Sequence, residues 1–238
     1  STLKIYPSVM DNARQIAVVM FSDVVGYTAM MGEDEESALN LLRENHLIQK
    51  SLIEKYNGTF VKEIGDGLLA HFPTSENAVT CCYEIQKHAK DSSIKIRIGL
   101  NQAEIIIENN DIFGDGVNIA SRIESLAEPG GVYFSESVAT AFPNPSGVKY
   151  TQMGKAKLKN VKNPVMIYAL EGEHVPMPSK RRFQQLANPR KKLAIVPAAI
   201  VFVLILGSVI YATVNYFKSE AAKEEARNSI PEIEQLVQ

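Results

Sequence analysis

Two aspartates, Asp23 and Asp66, each stand at the end of an apolar run; Lys62 lies just ahead of Asp66, and a third polar set, Asp111, Asn118 and Arg122, follows. Carboxylates at strand ends are costly to desolvate unless a cation or hydrogen bonds compensate them. Neighbouring strands lie about 5 Å apart, close enough for the two acids to converge, repel one another and call for a divalent cation. Two oxygen-ligating carboxylates with room for phosphate oxygens suit Mg²⁺ or Mn²⁺. Val24, Val25, Gly26, Tyr27 and Thr28 offer backbone N–H groups in a small-residue turn that can cradle phosphate. Asn118 and Arg122 are i and i+4 on one helix face: an amide suited to a sugar oxygen beside a guanidinium that can fork onto phosphate. Lys62 alternates with Phe60 and Ile64, which places it on a strand face with two apolar residues. Each piece also has a structural reading, with Asp23 capping a turn, Asp66 serving the hairpin and Lys62 snorkelling from an edge strand.

The elements that must position these groups alternate. Ile16 to Phe21 is an apolar run short enough for a buried strand. Ala38, Leu41, Asn45, Ile48 and Leu52 recur at helical spacing to about Tyr56, with acids from Glu33 to Glu36 at the start and Asn57 and Gly58 at the stop. Thr59 to Ile64 and Leu68 to Phe72 are strands around a Gly65-Asp66-Gly67 hairpin. A helix over Ser75 to Lys90, strands over Ile94 to Leu100 and Glu104 to Glu108, a loop over Asp111 to Gly116 and a helix over Val117 to Ala127 follow. The order predicts an α+β fold, a ferredoxin-like βαββαβ core with an appended C-terminal α/β lobe running to about Gly172 and, beyond it, one transmembrane helix.

That last helix is Leu193 to Phe217, a 25-residue run without a charged residue or histidine. At about 1.5 Å per residue it can cross a hydrocarbon layer of about 30 Å. Lys180, Arg181, Arg182, Arg190, Lys191 and Lys192 precede it, against Lys218, Lys223 and Arg227 after it, so the N-terminal side is expected in the cytoplasm. The tail from Ser219 reads as helical, with a break at Pro231. A net charge of −2 gives no field for nucleic acid. Cys81 and Cys82 are adjacent within a predicted helix, which speaks against a structural disulfide, and the four histidines lack the spacing of a zinc site. P-loop and Rossmann fingerprints are missing.

Taken together, FSDVVGYT at 21–28, VKEIGDGLLAHF at 61–72, DIFGDGVNIASRIE at 111–124, EPGGVYFSE at 128–136 and KLKNVKNPVMIYALEG at 157–172 closely resemble the catalytic domain of the class III adenylate and guanylate cyclases. The resemblance implies a homodimer with two composite sites, each holding ATP and two Mg²⁺ or Mn²⁺ ions. By the same resemblance Asp23 and Asp66, with the Val24 carbonyl, match metal ligands. Lys62 and Asp111 match the pair that recognises adenine, through the ring nitrogen and the exocyclic amine. Asn118 matches the residue that orients the ribose, and Arg122 the one that stabilises charge on the α-phosphate. Lys159 is the candidate for the terminal phosphates, with Lys155, Lys157 and Lys162 close by. Relatives carry His near Asn101, Gly at Ala103 and Gly at Asn160; if the backbone at 103 needs a positive φ, alanine is strained there.

The implied reaction is attack of the ribose 3′-hydroxyl on the α-phosphorus of ATP, giving 3′,5′-cyclic AMP and pyrophosphate. The alternatives are a cyclase-like nucleotide-binding signalling module with weak turnover, or a guanylate cyclase. The expected organisation is an N-terminal segment 1–15, catalytic domain 16–172, basic juxtamembrane linker 173–192, transmembrane helix 193–217 and an extracytoplasmic helical tail or start of a further region at 218–238. That describes a single-pass protein of the bacterial inner (plasma) membrane with its catalytic domain in the cytoplasm.

Overall fold

The structure is a computed structural model that describes residues 13–90, 92, 94–142, 149–188 and 195–235. The chain divides into two compact units, Ser1–Pro189 and Arg190–Gln238. In the first, β1 (Ala13–Val24), α1 (Tyr27–Glu33), α2 (Glu35–Lys55), β2 (Thr59–Ile64), β3 (Gly67–Phe72), α3 (Ser75–Lys90) and β4 (Ile96–Glu108) form the expected core. Then come β5 (Asp111–Phe113), α4 (Asp115–Glu124), β6 (Val132–Ser135), α5 (Glu136–Ala141), β7 (Lys149–Ala156), β8 (Val165–Glu171) and α6 (Lys180–Ala187). One sheet holds all the strands in the order β2-β3-β1-β4-β6-β8-β7, with β5 on β4. β1 lies between β3 and β4 and runs antiparallel to both, the split βαβ arrangement; β4 and β6 pair in parallel.

Burial on both faces explains the unbroken apolar run of β1. Val18 and Met20 enter a core shared with Ile53 of α2 and Ile85 of α3, while Ala17 and Val19 enter another with Ala120 of α4. A third cluster joins Ile123, Tyr133, Met153 and Ile167 of the appended lobe to Phe183 and Ala187 of α6. Cys81 and Cys82 are buried free thiols.

Several elements differ from expectation. The two strands predicted over 94–108 are one strand, β4, because Asn101 to Ala103 continue the ladder with β1. The predicted loop at 111–116 begins as β5, joined to β4 by Asn109 and Asn110 at φ 51° and 60°. A two-residue turn with both φ values positive matches strand twist, and asparagine tolerates it. The helix predicted over 117–127 is α4, beginning at Asp115 and ending at Glu124. An additional short helix, α1, precedes α2, and Asp34 caps α2 by accepting from the Ser37 N–H at 3.1 Å. Within the predicted linker 173–192, residues 180–187 fold as α6 and bury Phe183; Glu128 accepts the Ser179 N–H at 2.7 Å just ahead of that helix.

The second unit is α7 (Ile195–Gln235), unbroken at position 231, where a break was expected. Its apolar side chains from Val203 to Phe217, among them Leu204, Ile210 and Tyr216, are exposed. Among the described residues no helix is long and apolar enough to cross a membrane. The predicted span starts at 193, and residues 193 and 194, like Arg190, Lys191 and Lys192 of the basic flank, lie outside those described.

Candidate active site

Asp23 and Asp66 meet because the tip of the β2–β3 hairpin closes onto the end of β1. Ser22 pairs with Leu68 in register, and the Ser22 Oγ accepts the Leu68 N–H at 3.2 Å. Gly67 is required for this approach, since a Cβ there would lie 1.9 Å from the Ser22 carbonyl oxygen. His46 of α2 supports the tip from behind, its Nε2 3.2 Å from the Asp66 carbonyl oxygen. Burial raises the Asp66 pKa, and the adjacent Asp23 charge raises it further.

A residue that sequence reasoning missed completes this cluster. Arg97 of β4 sits opposite Asp23 in the β1–β4 register and donates Nη2–H to its carboxylate. The Arg97 Nε lies 2.9 Å from Oε1 of Glu124, at the end of α4, without the alignment of a hydrogen bond. Gly99 allows that approach, because a Cβ there would lie 2.2 Å from the Glu124 nitrogen. Burial pushes the Glu124 carboxyl up to about 7 against the pull of Arg97. Burial also works against the Arg97 cation, but Asp23 and Glu124 outweigh it and raise its pKa. The available signal was periodicity: Ile96, Ile98 and Leu100 bury one face of β4, which sends Arg97 to the other.

Lys62 and Asp111 form an ion pair between β2 and β5. The face expected for Lys62 was half correct. Phe60 pairs with Ala70 but Lys62 with Leu69, so Val61 is the extra residue of a β-bulge. The bulge separates Lys62 from Phe60, which packs beside α2 and α3, and turns it to the face that holds Val61, Leu69 and Ile112. Asp111 reaches the same place through β5, where its Oδ1 also accepts the Ile112 N–H at 2.8 Å, and the Lys62 hydrogen bond lowers its pKa.

Asn118 and Arg122 form a third cluster. They line a cleft of about 580 Å³ between α4 and the β7–β8 loop, with Asn160, Lys162 and Pro164 opposite. Both loop lysines are exposed; Lys162 lines this cleft and Lys159 does not. Asn160 has φ 60°, the conformation that makes glycine common there and that asparagine accepts. Ala103 is an ordinary strand residue paired with Ala17, so the strain considered for it is absent. Its methyl group fills the space left by Gly116, where a Cβ would lie 2.2 Å away, and the Asn101 amide donates to the Gly116 carbonyl at 3.1 Å.

The phosphate cradle is narrower than expected. The Val25 N–H is taken by the Lys95 carbonyl at 2.8 Å. Gly26, in the left-handed region at φ 79°, then caps α1, whose first turn presents the N–H groups of Tyr27 and Thr28. Val24 is a buried residue at the end of β1. Among the described residues no group of three or more His, Cys, Asp or Glu is arranged to hold a metal. The Asp23 and Asp66 carboxylates would leave the remaining positions to water and substrate oxygens, a donor set whose chemistry fits Mg²⁺ or Mn²⁺.

The family model described as the adenylate and guanylate cyclase catalytic domain matches residues 9–172. A putative adenylate cyclase 3 from Rhizobium meliloti is 34% identical over 164 residues, 65% of this chain and 28% of that protein. The chain spans less than half the length of this and the other leading curated relatives. Among solved structures, an adenylate/guanylate cyclase/hydrolase from Silicibacter pomeroyi superposes with a TM-score of 0.62 at 31% identity, over 68% of this chain and 99% of that one. The adenylyl cyclase CyaB from P. aeruginosa gives 0.62 at 25% identity, over 68% and 96%.

Proposed function

Because the chain belongs to the family of adenylate and guanylate cyclase catalytic domains, we propose that it is an adenylate cyclase, forming 3′,5′-cyclic AMP and pyrophosphate from ATP at sites shared by two copies. The Lys62–Asp111 pair carries the choice of base. Adenine presents an acceptor ring nitrogen beside a donor amine, which suits a lysine donor beside a carboxylate acceptor. Guanine reverses that order and sets its O6 against Asp111, which rejects it.

Asp23 and Asp66 would hold the metal ions, with the Val24 carbonyl as a further ligand. Mg²⁺ or Mn²⁺, if held by these two carboxylates, would lower the pKa of the ribose hydroxyl and neutralise phosphate charge. Asn118 orients the ribose so that its 3′-oxygen lines up with the α-phosphorus; Arg122 forks onto the α-phosphate oxygens as charge builds and the bond to pyrophosphate breaks. Lys162 or Lys159 receives the terminal phosphates.

Support for a two-chain site comes from the separation of the three clusters, around Asp23, Lys62 and Arg122. Lys62 lies within β2 and pairs with Asp111 of β5, whereas Asp66 lies beyond the end of β2 at the hairpin tip. The exposed apolar side chains around α7 from Val203 to Phe217 support a membrane anchor with the catalytic unit on its cytoplasmic side. The test is turnover by the full chain with ATP or GTP and Mg²⁺ or Mn²⁺ across protein concentration. Cyclic AMP formation rising faster than linearly with concentration, with little cyclic GMP, is expected. Tight ATP binding with no cyclic product under any condition would leave only a nucleotide-binding module.

A further inference from the structure

Two carboxylates, Asp23 and Glu124, contact one guanidinium at the end of β1, with Asp66 beside Asp23, and the two edges of the guanidinium are unequally used. Arg97 is hydrogen-bonded to Asp23 through Nη2. Its Nε and the Glu124 Oε1 are both buried, 2.9 Å apart, yet not aligned. Two buried polar atoms in contact without a hydrogen bond need an explanation. Here the guanidinium is turned toward Asp23, and the turn pulls its Nε edge out of line with Glu124.

We infer that Arg97 is an internal counter-cation of the metal site: it neutralises Asp23 while no divalent cation is bound and turns onto Glu124 when one takes that carboxylate. The inference rests on Asp23 and Asp66 being the metal ligands. Without Arg97 the two aspartates face each other with their charges unbalanced, and the hairpin tip that Gly67 brings onto β1 carries that repulsion. A cation arriving at Asp23 meets a like charge in Arg97 and must displace it. A displaced guanidinium with no partner would be a half-buried, unpaired cation, an unfavourable state. Glu124 removes that cost, because its carboxyl already touches Nε and a small rotation brings the two into line. Glu124, 7% exposed and fixed by the approach of α4 to Gly99, is a positioning residue acting through Arg97.

Opposite signs distinguish this arrangement from a merely structural ion pair. Mn²⁺ affinity is measured by electron paramagnetic resonance of the free ion, on the full chain in detergent micelles, without nucleotide, at about pH 8, where Glu124 is ionised. Arg97→Gln should bind Mn²⁺ about tenfold tighter than the parent, and Glu124→Gln about tenfold weaker. The double variant should resemble Arg97→Gln, because Glu124 acts through the arginine. If the double variant keeps the whole Glu124→Gln loss, Glu124 acts directly on the metal and the proposed relay is wrong. Unchanged or weaker binding by Arg97→Gln, with Asp23→Asn abolishing it, overturns the inference and leaves the metal ligands standing. Parent-like binding by both Asp23→Asn and Asp66→Asn removes the metal reading itself. Should Arg97→Gln fail to fold, Glu124→Gln carries the test, and unchanged affinity in it counts against the inference.

Discussion

Around Asp23 two of the three carboxylates share Arg97 within the chain, whereas in the cleft on the far side of α4 Arg122 has no ion-pair partner among the described residues. The first cluster draws on four elements, β1, the β2–β3 hairpin, β4 and the end of α4, and two glycines exist to let them touch. The second draws on one helix face and one loop, with Asn118 exposed and Arg122 only partly covered. A protein that finished its chemistry alone would have reason to bring the two together. Their opposite construction, one closed and built around an internal ion pair, the other open and cationic, is what the proposed site shared between copies would need.

The largest expected effect breaks the comparison by removing one side at a time. Asp66→Ala and Arg122→Ala should each lose about 10²–10³ in cyclase activity. Mixed, they should recover a substantial fraction, because one site per heterodimer keeps both groups. A dead mixture in which heterodimers are demonstrated would place both residues in one chain's site.

Next comes the electrostatics of the closed cluster, read from stability instead of turnover. The Glu124 carboxyl, pushed up to about 7 by burial, binds a proton more tightly folded than unfolded. Its contribution to stability is therefore complete below about pH 4.5 and lost as pH rises through about 7, a change on the order of 3 kcal/mol. Glu124→Gln stays neutral throughout and should flatten that decline, so the gap in melting temperature between parent and variant should move in the variant's favour from pH 4.5 to 8. A gap that stays constant over that range would show that Glu124 does not titrate there.

Gly67→Ala addresses the contact that closes the cluster. Its methyl group would enter the Ser22 carbonyl, so backbone must shift at a cost of about 1–3 kcal/mol, read from urea unfolding. Cyclase activity should fall more than stability does, since the shift separates Asp66 from Asp23. If stability drops while activity holds, the hairpin tip does not set the acid pair.

How much of this was legible differs between the two regions for physical reasons. Asp23, Asp66, Asn118 and Arg122 announce themselves because each interrupts an apolar pattern or repeats at helical spacing. Arg97 does not, since a charged residue alternating with Ile96 and Ile98 looks like the wet face of a strand until α4 is known to cover it. The resemblance grouped Lys62 with Asp111 as base-recognising residues and not as an ion pair, and the face of Lys62 depended on a bulge at Val61 that alternation alone cannot reveal. β5 was hidden because Asn109 and Asn110 read as loop, although a polar pair with a tolerance for positive φ is itself a hairpin signal. In α6 the charges of Lys180 to Arg182 masked Phe183, whose partners Tyr133 and Met153 lie far away in sequence.

The smallest effect sharpens the open side. A triphosphate reaching into the Arg122 cleft needs a second cation for its terminal charges, and two lysines of the β7–β8 loop compete for that task. Both lysines are exposed, but Lys162 lines the cleft beside Asn160, whose left-handed backbone turns the loop between them, while Lys159 lies before that turn and away from the cleft. A lysine acting on the terminal phosphates contributes ground-state binding as much as catalysis, so its loss should appear chiefly in KM. Lys162→Ala is therefore expected to raise KM for ATP about three- to tenfold with kcat less affected, and Lys159→Ala to change either constant less than twofold, as for a solvated surface charge. The reverse ranking would mean that the loop rearranges when two copies meet, and that the open cleft is a resting shape of this half-site.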